Sequence, residues 1–94
     1  MNTVNDYTSK MYDLIDTEDY DQAIKLGEHA TLRQFSLPTA LLGYCYAIKK
    51  RVPEAVEACE RVMIMRAYDE GTLAGSPEEL FMKRSQHYFD QLKD

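Results

Sequence analysis

Four side chains in this sequence could do chemistry near neutral pH: His29, His87, Cys45 and Cys59. A zinc site needs cysteine and histidine ligands in close pairs. The two cysteines form no CxxC and have no paired histidines, and the histidines form no HExxH. A catalytic thiol needs an electropositive, accessible setting. Arg61 follows Cys59 closely, yet Cys59 fits an apolar helical stripe better. Leu73-Ala74-Gly75-Ser76 has one glycine and no following lysine, so it is not a phosphate loop. The expectation is therefore no metal, no cofactor and no enzyme. The histidines read as surface or half-buried helix positions. The cysteines read as buried, reduced thiols of a cytoplasmic protein.

Charge narrows the partners. The chain of 94 residues carries a net charge of −5. The excess lies at one end, where Asp6, Asp13, Asp16, Glu18, Asp19 and Asp21 face only Lys10. Phosphate neutralisation needs clustered lysine and arginine, so nucleic acid and anionic membrane are not expected partners. The acids read first as a solvated face. No apolar run approaches the ~18 residues of a membrane span, and the N-terminus lacks a signal-peptide pattern. The length suits a single domain over 1–94.

The elements that must carry these residues are helical throughout. Val4, Tyr7, Met11 and Leu14 recur at steps of three and four, the period of a helix. Thr17-Glu18-Asp19 breaks that pattern and places acids where the next helix has unpaired N–H groups. A second helix is expected from Asp19 to about Arg33, burying Tyr20, Ala23, Ile24, Gly27 and Ala30. Gln34 to Pro38 reads as a turn, with Ser36 able to cap and Pro38 suited to a first helical turn. A third helix then reaches Lys50, with Lys49, Lys50 and Arg51 at its C-terminal end, as the helix dipole favours. Pro53 opens a fourth, to about Tyr68, with Ala55, Val56, Cys59 and Val62 inward. Asp69 to Gly75 reads as a loop. Ser76-Pro77-Glu78-Glu79 is a strong helix start, and Phe81, Tyr88, Phe89 and Leu92 share a face of the fifth helix.

Helices two and four overlay at an offset of 32 residues: Tyr20-Asp21-Gln22-Ala23-Ile24 on Val52-Pro53-Glu54-Ala55-Val56. The same offset carries Tyr12 onto Tyr44 and Leu14 onto Tyr46. A repeated helical hairpin of this length marks a solenoid. With Leu42-Gly43-x2-Tyr46, with Ala55 in the second helix, and with Glu18-Asp19-Tyr20-Asp21-Gln22-Ala23-Ile24, the chain resembles the tetratricopeptide repeat family. It departs from that pattern at Thr39, at Lys10-Met11 and in its shorter repeat. The resemblance implies an all-α fold of about five helices: hairpins over about 3–33 and 37–68 and a closing helix over about 76–92.

Helix three is apolar nearly all round. Tyr44 and Tyr46 lie about 200° apart on it and so face opposite ways. If Tyr46 closes its hairpin, Tyr44 shares a second face with Leu37, Ala40, Leu41, Ala47 and Ile48. Thr8, Tyr12 and Ile15 of helix one adjoin it. In the resembled family this face lines a groove that holds a partner peptide or helix, so these nine residues are the expected partner-binding set. Coverage by helix five and self-association are the other readings of the face. The expected function is a protein-interaction module for an apolar or amphipathic helix, such as a secretion-type chaperone or adaptor. A viral or phage inhibitor of a host protein, or a small subunit of a larger enzyme, fits the same residues.

Overall fold

The computed structural model describes residues 4–29, 32–69 and 75–92. The chain forms α1 (Val4–Asp16), α2 (Tyr20–Gly27), a 3-10 turn (Leu32–Gln34), α3 (Ser36–Ile48), α4 (Val52–Asp69) and α5 (Pro77–Leu92). The fold is all-α, and no strand occurs among the described residues. The side chains of Val4 and Leu92, and Ala30 entirely, lie outside what is described.

Three-residue links fold α1 onto α2 and α3 onto α4 as antiparallel hairpins, and the two links are built alike. At the first, the N–H groups of Thr17, Glu18 and Asp19 donate to the carbonyls of Asp13, Ile15 and Leu14 at 3.1, 3.0 and 2.8 Å. At the second, those of Lys49, Lys50 and Arg51 donate to Cys45, Ala47 and Tyr46 at 3.1, 3.1 and 2.8 Å. Every donor and acceptor is displaced by the same 32 residues as the sequence repeat. The pattern is the Schellman motif, which satisfies the last carbonyls of a helix with one left-handed residue. That residue is Glu18 (φ 62°) in one hairpin and Lys50 (φ 64°) in the other. Asp19 then accepts a hydrogen bond from the Gln22 N–H at 3.4 Å, capping α2 as its acidic side chain suggests.

Small residues sit where helices meet. A Cβ placed on Gly43 would lie 3.2 Å from the Ala58 Cβ and 3.7 Å from the Ala55 carbonyl oxygen. One placed on Gly27 would lie 2.8 Å from the Met11 methyl and 3.1 Å from Leu42. Ala23 and Ala55 are fully buried.

Two local expectations are corrected. α2 stops at Gly27 rather than continuing to about Arg33. The chain turns at Glu28, and Leu32 is buried completely from a 3-10 turn, so an apolar position that fits a helical stripe instead anchors a bend. Ser36 does not cap α3. The N-cap is Phe35, with no side-chain cap bond, and the Ser36 hydroxyl goes elsewhere.

α3 is the central helix: nine of its 13 residues are buried. It packs against every other α-helix, most extensively against α4 and α5. α5 begins with the expected cap, since the Ser76 hydroxyl accepts from the Glu79 N–H at 3.2 Å. The reciprocal bond from Glu79 reaches the Gly75 N–H at 3.3 Å. α5 then runs along α3 and touches α4 only lightly.

Candidate protein-interaction site

The inner face assembles as the sequence suggests, but α5 occupies it. Thr8, Ala40, Leu41 and Ala47 are buried, and Tyr12, Ile15, Leu37, Tyr44 and Ile48 are half-buried. The Phe81 ring sits edge-on to Tyr12 and Tyr44, at centroid distances of 5.7 and 5.4 Å. Tyr88 meets Tyr44 at 6.1 Å. Such aromatic pairs add about 0.5–1.5 kcal/mol beyond the area they bury. An apolar face between two short hairpins is most economically covered by the chain's own next helix. The expected open groove lined by these nine residues is thus closed in the structure.

A polar tether reinforces that closure. Glu78, in the first turn of α5, is 5% exposed. It accepts a 2.5 Å hydrogen bond from the Ser36 hydroxyl and pairs with Arg66 at 3.4 Å. One carboxylate thereby joins the start of α3, the last turns of α4 and the start of α5. Burial raises the Tyr12 phenol above its usual pKa, and the Glu78 charge raises it further. Burial likewise raises Tyr44, with Tyr88 adding to the effect. Tyr46, facing the other way, donates to Glu28 and lies under the Arg51 guanidinium at 4.6 Å.

The surface left open lies between α4 and α5. α4 carries two apolar stripes. Ala55, Ala58 and Val62 are buried, while Val52, Val56, Cys59 and Met63 line a groove of roughly 720 Å³ whose other wall includes Met82 and Phe89. Val56, expected inward, is 38% exposed, and Met63 and Ile64 are more than half exposed. Leu80, on α5, is also exposed. The sequence did hold a signal for this groove. Val52, Val56, Cys59 and Met63 follow a helical period of their own, beside the stripe that contacts α3.

The residues first considered for chemistry do not converge. Cys45 is buried in the core, where burial pushes its thiol up to about 12. Cys59 is half-buried in the groove wall. Its thiol is raised by burial and pulled partly back by a hydrogen bond with Ser85. His29 stacks on Tyr7 at 6.1 Å, and His87 lies against Tyr88. Among the described residues, no three histidine, cysteine or acidic side chains gather as a metal ion would require, and no helix is long and apolar enough to cross a membrane.

The fold and its open groove define the class: a small protein of two repeated helical hairpins with a fifth helix closing their inner face. No family model, no curated protein and no solved structure matches the chain.

Proposed function

We propose that the protein is a protein–protein interaction module that seats an apolar or amphipathic helix of a partner. The seat is the α4/α5 groove, not the inner face of the hairpins. The observation that carries this reading is the groove itself. Val52, Val56, Met63, Met82 and Phe89 present apolar side chains to solvent along two neighbouring helices, and Ile64 and Leu80 widen the patch. A contiguous exposed apolar strip of this kind marks a contact surface, and helix-in-groove recognition uses just such a pair of walls. Methionine suits it because its flexible thioether adapts to different partner side chains. In the same reading the hairpins are tetratricopeptide-like. The 32-residue repeat supports this, as do Gly43, Ala23 and Ala55 in the close-packed positions of their hairpins.

The test is site-specific photocrosslinking in the native cell, with a benzophenone amino acid at Met63 and a control at exposed Asp13. A discrete adduct from Met63 alone, lost when Val56→Asp is added, is the expected result. Equal adducts from both positions, or none from Met63, would overturn the reading.

A further inference from the structure

The groove has the shape of a missing helix. In both hairpins an inner helix, α1 or α3, is followed by an antiparallel outer helix, α2 or α4, packed along it. α5 lies beside α3 as the next inner helix would, yet no outer helix packs along it among the described residues. Its open flank is the groove, whose opposite wall is α4.

The two walls differ in charge. On α5, Glu79 and Lys83 neutralise each other at 3.5 Å. On α4, Glu60 lines the groove and is exposed, with no ion-pair partner among the described residues. Covering a carboxylate with apolar surface is costly unless it is paired. A second copy of this chain would bring its own acidic surplus, net −5, toward that rim. Charge therefore favours a different protein with a basic flank.

Resting on the groove reading above, we infer that the occupant is a partner helix running antiparallel to α5. It is apolar along one stripe and carries lysine or arginine on the flank that faces Glu60. It completes a third hairpin, and the apolar stripe rather than the charge provides most of the affinity. The charge selects among apolar helices, as rim charges do at interfaces.

Three helical peptides test this on the full chain. They share one composition of leucines but carry lysines on one flank, glutamates on that flank, or a scrambled stripe. Fluorescence anisotropy measures affinity, and alkylation of Cys59, mapped by mass spectrometry, reports occupancy of the groove. The basic peptide should bind roughly fivefold or more tightly than the acidic one and should protect Cys59. Glu60→Lys should abolish or reverse that preference without changing the melting temperature. If basic and acidic peptides bind alike and both protect Cys59, the charge inference is wrong and the groove reading stands. If the preference survives Glu60→Lys, the acidic N-terminal half is responsible and the inference fails. If the scrambled peptide binds as well, or no peptide protects Cys59, the groove reading itself fails. Self-association that protects Cys59 without peptide would make a second copy the occupant and overturn the inference.

Discussion

Tyr44 and Tyr46 stand two positions apart on α3 and anchor opposite sides of the molecule. Tyr46 is 7% exposed and bonded to Glu28, so Tyr46→Ala should cost about 3–5 kcal/mol. Tyr44 packs against Phe81 and Tyr88, so Tyr44→Ala should also destabilise, by roughly 2–3 kcal/mol, rather than leave the melt unchanged. Thermal melts of both variants check this; a silent Tyr44→Ala would mean that α5 does not hold the inner face. The glycines make a paired prediction. Gly43→Ala presses on the Ala58 Cβ, which sits on a packed helix, and should cost about 1–3 kcal/mol. Gly27→Ala meets the far end of Met11, which can swing away, and gains roughly 1 kcal/mol of helix propensity, so it should be near neutral. Cys45 sets an alkaline limit. Its folded pKa is raised from 9.0 to about 12, so its contribution is complete below pH 9 and lost as pH rises toward 12. At about 1.4 kcal/mol per unit, the loss is on the order of 4 kcal/mol. Tyr12 and Tyr44, also raised, lose stability in the same direction above pH 10. Denaturant melts from pH 8 to 11 should show falling stability, and Cys45→Ala should flatten the curve. The opposed directions of Tyr44 and Tyr46 were legible from helical geometry alone. The carboxylate bond of Tyr46 was not, because Glu28 reaches it only after α2 ends early.

At the scale of elements, the repeat is legible because its spacing fixes both composition and backbone. Asp19 and Arg51 each open an outer helix at equivalent positions, and each carbonyl accepts from the buried alanine four residues on, Ala23 or Ala55. The turn that joins each pair of helices was hidden. A Schellman motif is usually announced by glycine at its left-handed position, and here Glu18 and Lys50 occupy it. A left-handed non-glycine residue carries roughly 1–2 kcal/mol of steric cost. Part of that is offset by the entropy glycine loses on folding. Lys50→Gly should therefore stabilise by about 0.5–1 kcal/mol, and Glu18→Gly similarly, in chemical denaturation. Destabilisation at both sites would contradict the geometry of the links. α2 reads too long from sequence because Leu32 falls close to its apolar period, while the bend at Glu28 depends on tertiary burial of that leucine.

For the whole molecule, two hairpins are fewer than a solenoid normally needs to bury its core, and α5 supplies the missing cover. The sequence identified α5 by its cap and its aromatic face, but not where it docks. Docking depends on Ser36, Arg66 and Glu78 meeting across three helices, a pairing no local pattern encodes. Glu78→Ala leaves Arg66 buried without its acid, and loss of one partner of a buried pair costs about 3–5 kcal/mol. Hydrogen exchange should then show α5 opening before α1–α4. The central claim is that the inner face is closed by α5 and the α4/α5 groove is the open seat. Methionine methyl groups are placed to report on it. Met63 and Met82 line the groove, while Met11 is fully buried between the hairpins. The most direct measurement is a 13C-methyl methionine spectrum of the protein titrated with the basic amphipathic peptide. The Met63 and Met82 methyl signals should shift together and saturate while the Met11 signal stays fixed. A shift at Met11 with Met63 and Met82 unmoved would place the partner on the inner face and contradict the account.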